Sequence, residues 1–72
     1  MKMNTTEIRN LTTQEIQERL NEAREELMKL RFRLATGELT DHSQIQVTRR
    51  TIARLSTVLT ERMRLQELEG EK

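Results

Sequence analysis

The chain has 72 residues, 33% apolar and 35% charged, with a formal net charge of +1. That length makes one small domain with a marginal core of its own, and the charge-rich composition suits a helical hairpin or coiled coil better than a compact globule. The absence of cysteine excludes a disulfide framework and a thiolate metal site. No stretch is apolar enough to span a bilayer and the N-terminus has no signal-like run, which predicts a cytoplasmic protein.

Three helix starts can be read from capping chemistry. In "MNTTEI" Asn4 can accept from the backbone N–H three residues on, Glu7 can reach back, and Met3 and Ile8 can close over the cap as a staple. This predicts a short first helix over residues 4–10. In "LTTQEI" Thr12 caps, Glu15 returns and Leu11 staples to Ile16, which predicts a long helix over 13–36.

The long helix carries an apolar seam of Ile16, Leu20, Ala23, Leu27, Leu30 and Leu34, spaced 4, 3, 4, 3, 4. That is a heptad pattern held for nearly three repeats. Gly37 ends it, because glycine takes the left-handed C-terminal position without steric cost. The connection over 37–40 is short enough to force antiparallel neighbours.

In "DHSQ" Asp41 is read as the cap and Gln44 as its return partner, which opens a helix over 42–67. Its seam is poorer: Ile45, Thr48, Ile52, Leu55 and Leu59. Arg62 falls where an apolar residue is expected, with Met63 and Leu65 as imperfect substitutes. The acidic tail over 68–72 is expected to fray. Residues 1–72 read as a single all-α domain, an antiparallel two-helix hairpin behind a short N-terminal helix.

The charge is polarised. Residues 29–54 hold Lys29, Arg31, Arg33, Arg49, Arg50 and Arg54 against Glu38 and Asp41, a net of +4; the remainder holds seven basic against ten acidic residues, a net of −3. In an antiparallel hairpin, residues near 30 lie opposite residues near 50, so the two basic clusters would merge. Such a patch anchors phosphates whatever the global charge, and arginine's planar fork meets phosphate oxygens in pairs. Lys29 with Arg33, and Arg50 with Arg54, are four apart on outward faces, whereas Arg31 and Arg49 flank the seam. The structural alternative is that these side chains are solvated or paired to Glu22, Glu25 and Glu26. With no Trp or Tyr and a single Phe, the composition argues against reading single-stranded bases and for backbone contacts to structured RNA or a duplex.

Met28, Phe32 and Ala35 form a second apolar strip off the leucine seam. It is either a partner surface or a tip packing in which Phe32 folds onto Leu39. Catalytic chemistry finds no support. The one histidine, His42, reads as a helix-start residue, the carboxylates lie on solvated faces, and no phosphate loop, nucleophile motif or metal spacing occurs. No catalytic residue, metal ligand, cofactor or small-molecule substrate is predicted.

"KLRFRLATGEL" (29–39) followed by "VTRRTIARLSTVLTER" (47–62), with "EIRNLTTQEI" (7–16) ahead of them, resembles the bacterial large-subunit ribosomal protein family numbered twenty-nine. The likeness covers nearly the whole chain apart from the tail. It implies a long antiparallel hairpin and a structural, non-enzymatic role in the large ribosomal subunit. It further implies binding to the large-subunit (23S) rRNA near the peptide tunnel exit, beside ribosomal protein twenty-three, where nascent-chain chaperones and targeting factors land. By position, "RRTIAR" puts Arg49, Arg50 and Arg54 in the family's basic helix motif with Ile52 and Ala53 as packing residues, and "LRF" puts Arg31 in its other basic stretch. Gln46 departs from the family, standing where a basic residue is common. An antiparallel coiled-coil adaptor fits the seam equally well but leaves the charge polarity unexplained, and a small helical enzyme resembling a chorismate-mutase dimer is disfavoured by the weak seam and the missing pocket residues.

Overall fold

A computed structural model describes residues 4–70. They form three helices, α1 (Thr5–Arg9), α2 (Thr13–Ala35) and α3 (Ser43–Gly70), with no strand among the described residues. α2 and α3 pack against each other along their length and α1 folds onto α3, giving a rod of 54 × 20 × 15 Å. The expected all-α hairpin with a short leading helix is the fold observed.

Local chemistry sets the helix ends. The Asn4 side chain accepts from the Glu7 N–H at 2.9 Å; Glu7 makes no return bond, and Met3, the expected staple, lies outside the described residues. At α2 the capping box is complete: Thr12 Oγ1 accepts from the Glu15 N–H at 3.1 Å, and Glu15 Oε1 accepts from the Thr12 N–H at 3.3 Å. Gly37 adopts φ +82°. The Gly37 N–H donates to the Leu34 carbonyl at 3.2 Å and the Leu39 N–H to the Arg33 carbonyl at 3.0 Å, which closes the last turn.

The start of α3 differs from expectation. The His42 carbonyl accepts the first helical bond, from the Gln46 N–H at 3.1 Å, so Asp41 stands one position outside the cap. Its carboxylate instead accepts from both the N–H and the hydroxyl of Ser43, at 2.9 and 2.8 Å, a side-chain turn of the kind Asp favours. Gln44 makes no return bond. At the other end α3 continues past the expected stop at residue 67, because Leu68 and its neighbours are helix formers and no proline intervenes.

Ile8, Ile16, Leu20, Ala23, Leu55 and Val58 make one buried cluster, with Leu11, Ile52 and Leu59 packed around it. Toward the tip, Leu30 and Ile45 are buried, and two threonines, Thr48 and Thr51, complete the contact face of α3. Their hydroxyls donate to the carbonyls one turn back, Gln44 and Val47, at 2.9 and 3.0 Å. Polar groups are thereby buried without loss of hydrogen bonds.

The contact stripe of α3 is therefore Thr48, Thr51, Leu55 and Val58, spaced 3, 4, 3. It is rotated from the expected Ile45–Thr48–Ile52–Leu55–Leu59 seam, in which Ile52 and Leu59 prove only half-buried. Continued by four, the stripe reaches Arg62. Met63 and Leu65 do not substitute for it; both are more than half exposed. Arg62 instead reaches across to the end of α1 and the start of α2: its Nη2 donates to the Arg9 carbonyl at 2.8 Å and its Nη1 to Thr13 Oγ1 at 3.5 Å. Arg9 in turn sits 3.7 Å from Glu61. A five-residue helix has no stability of its own, so this fastening and the burial of Ile8 hold α1 in place.

Candidate nucleic-acid interface

Two helices of opposite direction bring the residues 29–33 and 49–54 to the tip-side half of the rod. Leu30 and Glu26 face Ser43, Gln44, Val47 and Thr48 across a groove between the helices. Residue 30 thus sits opposite 47–48, close to the expected pairing with residues near 50.

Lys29, Arg31, Arg33, Arg49, Arg50 and Arg54 are all exposed, a placement open to a polyanion. Lys29 and Arg33 line a depression on α2 together with Met28 and Phe32. Arg49 and Arg50 line another on α3 with Gln46 and Ala53, so Arg49 belongs to the outer side of the helix rather than only to the seam's edge. Ala53, expected as a packing residue, is exposed there for the same reason: it is two positions from both Thr51 and Leu55, which point inward.

Their neighbours leave most of this charge available. Glu22 pairs with Arg19 at 3.6 Å and not with the basic cluster. Among the described residues, Lys29, Arg31, Arg49 and Arg50 form no ion pair. Arg33 does pair, with its Nε 3.5 Å from Glu38 Oε1 while its carbonyl accepts from Thr36 Oγ1 and the Leu39 N–H. Arg33 thus helps to build the turn as well as contributing charge. An exposed pair of this kind holds weakly and yields to a stronger anion.

Phe32 does not fold over the tip. It is 69% exposed and Met28 72%, and Ala35 beside them is exposed too. The strip Met28–Phe32–Ala35 is an open apolar surface. At the start of α3, hydrogen bonds from the backbone and then the side chain of Ser43, helped by nearby His42, hold the Asp41 carboxyl below the usual carboxylate value. No group of His and carboxylate side chains could hold a metal among the described residues, and no helix is long and apolar enough to cross a membrane.

Arg62 is the residue that pattern reading missed. Its signal was present, since the 3-4-3-4 spacing from Thr48 lands on it, but a charged residue at a seam position reads as a defect until its acceptor is seen.

The sequence profile of the family described as Ribosomal L29 protein matches residues 6–62. The Large ribosomal subunit protein uL29 of Staphylococcus aureus (strain N315) is 53% identical over 60 residues, 83% of this chain and 87% of that protein. The protein of the same name from Staphylococcus carnosus (strain TM300) matches to the same extent. A profile spanning most of the hairpin, and relatives identical at half the aligned positions, place the chain in the Ribosomal L29 protein family.

Proposed function

We propose that the protein is a structural, non-enzymatic constituent of the large ribosomal subunit that binds large-subunit rRNA through the cations of its tip-side half. The observation that carries this reading is the family membership. The concentration of +4 within residues 29–54 of a chain with a net charge of only +1 supports the rRNA contact. Lys29, Arg31, Arg33, Arg49, Arg50 and Arg54 neutralise crowded phosphates, and the rigid hairpin bridges RNA segments as a pin. The site is near the peptide tunnel exit, beside ribosomal protein twenty-three and within reach of nascent-chain chaperones or targeting factors, as the family resemblance implies.

Most of the α2 seam is used inside the hairpin, where Ile16, Leu20, Ala23 and Leu30 are buried and Leu27 and Leu34 half-buried. That leaves an adaptor without the apolar seam by which coiled coils pair. Six phosphate contacts would weaken RNA binding about a thousand-fold between 50 and 200 mM salt. The test is co-sedimentation with large subunits. The expected result is release only at high salt, and loss of incorporation when Arg50→Glu and Arg54→Glu are combined. Unchanged incorporation of the double variant removes the basic-patch assignment.

A further inference from the structure

We infer that the Phe32 face of α2 receives one unpaired nucleotide of RNA, its base stacked on Phe32 and Met28 and its phosphate held by Lys29 and Arg33. This inference rests on the rRNA-binding reading and names the ligand of one part of that surface.

Three observations point to it. First, the apolar surface is open: Met28 and Phe32 are each about 70% exposed and lie four apart, hence side by side on one helix face. Second, cations border the same depression. At 100° per residue Lys29 and Arg33 fall on one flank of Phe32, within about 4.5 Å of it along the axis, while Met28 and Ala35 fall on the other. An aromatic platform with an apolar flank and a cationic flank matches a nucleotide, whose base is apolar on its faces and whose phosphate is anionic. No carboxylate lines the depression; Glu25 is one turn away toward the N-terminus, and Glu38 holds Arg33 only through an exposed contact of 3.5 Å.

Third, the patch is small, with a single aromatic: such a ring accounts for about 150–250 Å², whereas a stable protein partner needs about 800 Å² on each side. The single aromatic that makes base reading implausible by composition is thus placed where it can serve one base.

The experiment uses large subunits assembled in cells whose only copy of the protein is the wild type or a variant, with dimethyl sulfate and 2′-hydroxyl acylation reporting rRNA reactivity. Phe32→Leu keeps an apolar, helix-forming side chain on the surface but removes the ring, and Phe32→Tyr retains it. One unpaired nucleotide is expected to become about ten-fold more reactive in the leucine variant and to be protected again in the tyrosine variant, with other protections unchanged. Replacing Phe32 by photoreactive benzoylphenylalanine should crosslink to that rRNA nucleotide. Crosslinks to ribosomal protein alone, or an unchanged footprint in Phe32→Leu while protections dependent on Arg50 and Arg54 persist, overturn the inference and leave rRNA binding standing. A wild-type chain that protects no nucleotide overturns both.

Discussion

Replacing Arg62 by methionine isolates the fastening of α1 onto α3. Methionine keeps an unbranched apolar stem of similar reach and removes the guanidinium, so the bond to the Arg9 carbonyl at 2.8 Å and the contact with Thr13 Oγ1 are both lost. A hydrogen bond from a charged donor contributes about 1.5–3 kcal/mol. Here the acceptor is exposed and water can replace the donor, so the lower end, about 1.5 kcal/mol, applies. That is roughly a ten-fold change in the equilibrium between docked and undocked α1. The loss should be local, because the central cluster of Leu20, Ala23, Leu55 and Val58 does not depend on Arg62. Native-state hydrogen exchange reads this directly. The amides of Ile8, Asn10 and Leu11, which bond to Asn4, Glu7 and Ile8, should lose about ten-fold in protection, while amides at the middle of α2 change little. Equal loss throughout α2, or no loss at Ile8, would show that Arg62 is not what holds the first helix.

Two further outcomes follow from the ends of the connection. Gly37→Ala meets no steric obstacle, since a Cβ there has nothing within 4 Å, but φ +82° is a conformation that only glycine adopts freely. The variant should lose about 1–2 kcal/mol, seen as a drop in Tm by circular dichroism; an unchanged Tm would mean that the turn relaxes to another conformation. The Asp41 carboxyl, held low by Ser43, acts with the opposite sign to a raised group. Its contribution is fully present above the ordinary carboxylate range and disappears as pH falls through the lowered value of the folded state. Acid titration of helicity should therefore show a component at the start of α3 that Asp41→Asn removes, and identical acid profiles for the two proteins would refute it.

What could be read before the fold was known divides along physical lines. The helix starts at Asn4 and Thr12, the stop at Gly37 and the α2 seam were legible, because caps, left-handed turns and heptads are short-range effects carried by the residues concerned. The inward face of α3 was less so. Thr48 and Thr51 are buried because each hydroxyl is satisfied by its own helix, which makes a threonine count as apolar at a contact. A hydropathy pattern sees the residue but not the bond. Ile52 and Leu59 drew the predicted stripe toward themselves, and Thr51 and Val58 took the contact. The position of Arg62 on the seam was legible but its role was not, since its acceptor is 53 positions away in the chain. The six cations of the tip-side half were legible as a group. That Lys29 and Arg33 line one depression with Phe32, and Arg49 and Arg50 another with Gln46, depends on which way each helix turns its outer side, which the spacing of the cations alone does not state.

The same division explains how stability and charge are distributed along the rod. The largest apolar cluster, with Ile8, Ile16, Leu20, Leu55 and Val58, lies toward the end where α1 docks. The half nearer the tip is closed by Leu30, Ile45 and two threonines, and it carries most of the exposed cations. Like charges brought together there repel one another and oppose compaction, and the smaller apolar contact beneath them offsets less of that repulsion. On the proposed reading, phosphates remove the repulsion at the place where burial is least able to outweigh it. Ligand binding to the folded state adds to stability by mass action, so an rRNA contact at this half contributes to holding the hairpin as well as to positioning it. A larger apolar tip would stand alone more firmly, but it would place leucines where Lys29, Arg49 and Arg50 now face outward. On that reading the tip is a surface that anions complete, while the opposite end is held by its own apolar cluster.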